Sequence, residues 1–127
     1  MPISITSGPI LPRDQSFTLN GSAQNPLATA YPATVPAGQY PTGNTNTPAG
    51  TNPYRTHLQF QAPASCNIVY SYTNSSPPDP ASFTGGNGCY LLLAGQTWVQ
   101  ASSIPCGPLY VNGGAAGNGK TMTLTEC

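Results

Sequence analysis

The sequence predicts an all-β protein, a small β-sandwich or barrel of about six to eight short antiparallel strands with a long proline-rich arm. Three observations carry this. The 14 Gly and 15 Pro of the 127 residues recur every few positions, so no window sustains a helical period. The apolar positions are filled mainly by β-branched and aromatic residues, which suit a pleated, half-buried surface. Short alternating runs are separated by clusters of turn residues. A chain of this length supports one modest core, so a single folded unit is expected. Within it, residues 1–53 hold the N-terminal strand or strands and the extended arm, and residues 54–127 hold the sandwich core.

Taken in order, residues 3–6 accommodate a short strand, and residues 16–19 form a clearer one. There Phe17 and Leu19 alternate with polar neighbours before an Asn20-Gly21 turn. Residues 25–53 contain six Pro and no useful alternation. A stretch of that kind is unusual inside a compact domain, so it is either disordered or, the preferred reading, an arm laid across a neighbouring molecule that would bury Tyr31, Val35 and Tyr40.

In RTHLQFQA, Leu58, Phe60 and Ala62 share one face while His57, Gln59 and Gln61 share the other, as a half-buried strand requires. In CNIVYSY, Ile68, Tyr70 and Tyr72 alternate with Asn67, Val69 and Ser71. SSPPDPASFTGGNG is turn chemistry throughout. CYLLLAG then reads as a buried strand and QTWVQAS as another, joined at Ala94-Gly95.

The tail reads as a hairpin across NGGAAGNG. The register that keeps apolar positions together sets Leu109 against Leu124 and Val111 against Met122, with Tyr110 against Thr123 and Pro108 against Thr125. It also places Cys106 opposite Cys127.

That register favours a Cys106–Cys127 disulfide and leaves Cys66 with Cys89, the alternative being four buried thiols from a reducing cytoplasm. No Cys-x-x-Cys pair occurs and His57 is the only histidine, a poor set for zinc. No metal and no cofactor is expected. His57 lies on the polar face of its strand, and a catalytic role would need a carboxylate to orient it. The only acids are Asp14, Asp79 and Glu126, which suggest no acid and base pair. The glycine-rich stretches lack the following helix and the lysine of a phosphate cradle. No enzyme is expected.

Three basic and three acidic residues give a net charge of zero. Three scattered cations cannot neutralise a run of phosphates, so nucleic acid is not a partner, and no apolar stretch is long enough to span a bilayer. The start, MPISITSGPI, lacks the basic and long apolar parts of a signal peptide, so the chain is expected not to be exported. Little repulsion separates one copy from the next.

Some 60 per cent of the chain, from about residue 52, carries an ordered set of signals. Arg55-Thr-His-Leu-Gln-Phe-Gln is followed by a Tyr-rich strand and a Gly-rich loop. Then come Leu-Leu-Leu-Ala-Gly-Gln-Thr-Trp, ending at Trp98, and Gly-Pro-Leu-Tyr-Val, ending at Val111. Thr-Met-Thr-Leu-Thr-Glu, ending at Glu126, closes the set. This order resembles small β-sandwich bacteriophage virion structural proteins of the capsid decoration or cement type. The four Cys and the long arm depart from that pattern.

The resemblance implies a non-enzymatic protein on the exterior of a virion, made in the host cytoplasm. It would bind and stabilise a capsid surface through the major capsid protein and copies of itself, a trimer among the forms that fit. Alternatives are a tail, connector or head-fibre component, a glycan-binding module using Trp98 and the seven Tyr, or an adhesin-like secreted domain stapled by its even number of Cys.

Overall fold

The structure is a computed structural model that describes residues 13–28, 49–52, 55–100 and 102–127. These residues form an all-β fold. Among the described residues there are seven strands: β1 (Arg13–Thr18), β2 (Leu58–Gln61), β3 (Ile68–Ser71), β4 (Cys89–Leu92), β5 (Thr97–Gln100), β6 (Tyr110–Asn112) and β7 (Thr121–Glu126). One helical turn, α1 (Gly114–Gly117), lies between β6 and β7. The strands build two antiparallel sheets, ordered β1-β7-β2-β5 and β4-β3-β6.

Alternation decides the packing of the first sheet. Phe17 stands opposite Met122, and Phe60 opposite both Leu124 and Trp98, so these side chains turn to one side. From the second sheet Ile68, Tyr70, Leu92 and Val111 meet them, with Leu19, Leu27, Leu58 and Leu109 filling the same core. The Phe60 and Tyr70 rings touch edge to face across it, with centroids 4.9 Å apart. The alternation expected in β2 is present, with Leu58, Phe60 and Ala62 buried. β3 is buried on both sides, Val69 and Ser71 included. On the Val69 side, Asn112 Nδ2 donates to the Pro77 carbonyl, which ties the proline-rich loop over that sheet.

The expected tail hairpin does not form. β6 pairs with β3, whereas β7 inserts between β1 and β2 in the other sheet. Leu109, Val111, Met122 and Leu124 do end up together, but they face one another across the core from opposite sheets. The connection through α1 is a crossover between layers. CYLLLAG is not a fully buried strand either. β4 is a sheet edge, and Tyr90, Leu91 and Leu93 are exposed.

The expected arm needs a correction at both ends. Leu27, assigned to it from sequence, is 1 % exposed and belongs to the core. Asn25 folds into a turn in which its Oδ1 accepts from Leu27 N while its Nδ2 donates to the Ala49 carbonyl at 2.8 Å. Residues 25–28 and 49–52 are thus joined at their bases. Tyr31, Val35 and Tyr40, and the strand expected at residues 3–6, lie outside the described residues.

Candidate binding surface

The buried charges come first, because they hold the loops in place. Arg55 precedes β2, and its Nε donates to Glu126 Oε2 at 2.6 Å, both side chains being essentially inaccessible. The rest of the guanidinium donates to the Pro105, Gly107 and Gly50 carbonyls. Asn52 Nδ2 adds a second donor to Glu126 Oε2 at 3.3 Å. Glu126 Oε1 is buried without a hydrogen bond. One fork therefore joins two loop segments to the end of β7, as the planar donor geometry of Arg allows. This is a clasp, with its donors spent on carbonyls of the chain itself.

The expected Cys66–Cys89 disulfide is not made. Cys66 and Cys89 are buried thiols and Cys127 is a partly buried one. Cys89 stands opposite Ser71 in the β3–β4 ladder, while Cys66 lies five residues before Ser71. At about 3.3 Å per extended residue the two are far beyond the roughly 7 Å Cα limit for a bridge. Burial pushes the Cys66 thiol up from its ordinary value. Cys106 and Cys127 do not pair through a hairpin, since β6 and β7 are in different sheets. Instead, Cys127 exchanges backbone hydrogen bonds with His57 and Cys106 accepts from Asn52 N.

His57 is half-buried and its Nε2 lies 3.3 Å from Gln59 Oε1. Asp79 Oδ1 accepts from Ala81 N and so caps the short turn Pro80–Ser82. Among the described residues no three His, Cys, Asp or Glu side chains gather where they could hold a metal ion.

What remains open to a partner is of two kinds. The first is the outer face of the four-stranded sheet. Ser16 and Thr18 of β1, Thr121, Thr123 and Thr125 of β7, Gln59 and Gln61 of β2, and Thr97 of β5 alternate away from the core, so hydroxyls and amides cover most of it, with Val99 of β5 an exposed apolar exception. The single acid there, Asp14, accepts a hydrogen bond from Thr125 Oγ1 at 2.7 Å. Among the described residues of this face only Asp14 carries a charge.

The second is the side of the sandwich where β4 and β5 are the edge strands. The turn at residues 93–96 carries the chain from one sheet to the other, held by Gly95 N to Pro63 O and Ala62 N to Gln96 O, with Gly95 at a φ of +75°. Between the edges lies a trough of about 450 Å³ lined by Tyr70, Phe83, Tyr90, Thr97 and Trp98. The Tyr70 ring centroid is 5.5 Å from that of Tyr90 and 6.1 Å from that of Trp98. Burial, with smaller contributions from Tyr72 and Tyr90, pushes the Tyr70 phenol up to about 12.

Trp98 is 40 % exposed, and its Nε1 donates to Gln100 Oε1, which also accepts from the Tyr72 hydroxyl. Gln100 Nε2 in turn donates to the Ser102 carbonyl. No family model, curated protein or solved structure matches this chain. The surface chemistry is therefore the guide to its role.

Sequence reasoning reached Trp98 as a candidate but missed the Arg55–Glu126 clasp. The available signal was weak: Arg55 lies a few residues before β2 and Glu126 closes β7, two opposite charges at strand ends that sequence alone does not bring together.

Proposed function

We propose that this protein is a non-enzymatic virion component of the capsid decoration or cement kind, which lays its uncharged sheet face on a repeated capsid surface. The observation that carries the reading is the hydroxyl- and amide-covered outer face of the four-stranded sheet. Such a face is suited to many neutral hydrogen bonds across a wide contact, and it discriminates by shape and register rather than by charge. The order of strand signals resembling phage virion proteins supports the same role.

Size sets a limit on how tightly one copy can hold. Four strands about 4.8 Å apart and some five residues long span roughly 15 by 17 Å between strand centres, well below the ~800 Å² per partner of a standard interface. A single face therefore binds weakly, and firm attachment needs several contacts acting together.

The test is cosedimentation of the purified protein with particles of the phage that encodes it, with copy number read by quantitative mass spectrometry. Stoichiometric occupancy is expected, lost in a Thr123→Lys variant that keeps the wild-type circular dichroism. A few copies per particle would instead assign the protein to a tail, connector or head fibre.

A second reading, a glycan-binding module, is favoured by one observation, the exposed and hydrogen-bonded indole of Trp98 beside Tyr90. Titration with neutral oligosaccharides followed by Trp98 fluorescence tests it, and an unchanged spectrum across the series removes it.

A further inference from the structure

The chain contains four Asn-Gly pairs, beginning at Asn20, Asn87, Asn112 and Asn118. In such a pair the backbone nitrogen of the glycine can attack the asparagine side-chain amide, because no Cβ stands in the way. The attack needs a side chain free to swing and a backbone N–H that is not already donating. Three of the pairs fail one of these conditions. Asn112 is buried with both ends of its amide held, Oδ1 accepting from Gly114 N at 2.7 Å and Nδ2 donating to the Pro77 carbonyl at 2.9 Å. Asn20 Oδ1 accepts from Ser22 N at 2.9 Å. At Asn118 the attacking group is occupied, since Gly119 N donates to the Leu19 carbonyl at 2.8 Å.

Asn87-Gly88 meets both conditions. The pair forms the centre of the turn before β4, closed by Cys89 N donating to the Gly86 carbonyl at 3.1 Å, and both residues are exposed. Among the described residues no hydrogen bond reaches the Asn87 side-chain amide or the Gly88 N–H. The turn also has room, since an added Cβ at Gly85 or Gly86 would meet nothing within 4 Å. Asn87 sits at a φ of +56°, a region unfavourable for a side chain, and the backbone must leave it for the reacting atoms to meet. A deprotonated Gly88 nitrogen shares its charge with the Asn87 carbonyl oxygen, which accepts from Cys89 Sγ and Asn74 Nδ2, each at 3.5 Å. Donors at that oxygen favour the anion. The fold cannot discard the glycine either: at a φ of +69°, a Cβ on Gly88 would lie 2.7 Å from Thr73 Oγ1.

We propose that Asn87 is a built-in site of spontaneous modification, converted to aspartate and isoaspartate with water as the only co-reactant. The Gly88 nitrogen gives its proton to hydroxide and bonds to Asn87 Cγ, the Cγ–Nδ2 bond breaks, and the amide nitrogen leaves as ammonia after taking a proton from water. Water then adds to either carbonyl of the cyclic imide. Opening on one side leaves aspartate, and opening on the other leaves isoaspartate, whose backbone runs through Cβ and Cγ. Either product places a carboxylate on a chain of zero net charge, in a turn beside the aromatic trough that Gly85 and Cys89 help to line. Isoaspartate also lengthens the backbone inside the turn. The Gly86–Cys89 bridge and the 2.7 Å hydrogen bond from Ser71 Oγ to the Gly88 carbonyl then cannot both keep their geometry. The site does not depend on the decoration reading.

The experiment is incubation of the full-length protein in mildly alkaline buffer made with heavy-oxygen water, followed by anion exchange and peptide mass mapping, with the same chain in urea as the reference. In urea the four pairs are expected to convert at comparable rates. In the folded protein Asn87 is expected to convert first, taking up heavy oxygen and giving both products at a rate that rises with hydroxide. Each of the other three is expected to lag by about fivefold or more, because a hydrogen bond must open first. Asn87→Gly keeps the positive φ without the amide, and is expected to retain the wild-type circular dichroism while losing the early acidic species. Conversion of Asn20, Asn112 or Asn118 ahead of Asn87 overturns the proposal. So does an Asn87 still intact when the chain in urea has fully converted, or an early acidic species that persists in Asn87→Gly.

Discussion

At the scale of single residues, Arg55 and Glu126 carry the largest local consequence. Their attraction is offset by the cost of taking both ions out of water, and Glu126 Oε1 gains no hydrogen bond in return. Removing one partner strands the other, so Arg55→Ala is expected to lose about 3–5 kcal/mol of stability. An Arg55→Met, Glu126→Leu double variant is expected to recover most of it, both measured by urea unfolding.

Tyr70 supplies a pH dependence. Its phenol is pushed from 10.0 to about 12 in the folded chain, so the native state holds that proton where the unfolded state releases it. The associated stability is complete below about pH 10 and is lost as the pH rises through about 12. Alkaline unfolding curves of the wild type are expected to fall over this window, and those of Tyr70→Phe to fall less.

Among the elements, β2 was legible from sequence because its inward and outward positions alternate without exception, and residues 66–72 because the aromatic and β-branched run has no breaker. The pairing of β6 and β7 was not. Alternation reports which residues face a core, and two strands facing each other from opposite sheets carry the same pattern as two strands of a hairpin. The connector did hold a clue. NGGAAGNG is eight residues long, beyond the two to five of ordinary hairpin loops.

Leu27 was lost among prolines for a related reason: a single apolar residue has no period. Its burial makes residues 25–28 part of the core, and Leu27→Ala is expected to cost about 2–5 kcal/mol, as for other buried leucines. Denaturant midpoints of the full-length variant check this. The trough at β4 and β5 was half legible, since Trp98 and Tyr90 stood out as residue types while their arrangement depends on a corner turn that sequence does not place in space.

For the whole molecule, the distribution of charge decides how it should associate. Two of its six charged residues are paired out of reach of water, and the outer sheet face carries only Asp14. Screening has little to act on, so association with capsids is expected to change less than about threefold as the Debye length shrinks from roughly 10 Å at 0.1 M salt to 3 Å at 1 M. Cosedimentation across that series checks it, and a steep loss would point to charged contacts.

The position of β7 has a further consequence for how the protein comes to exist in the cell. Of the seven strands it is the last to be synthesised, and it joins two neighbours, β1 and β2, that were made much earlier. While the ribosome is still translating the loop before it, both neighbours wait with unsatisfied backbone. Maturation of that layer is a late, long-range event, which places the protein among the slow folders of its size and makes the nascent chain a natural client for chaperones.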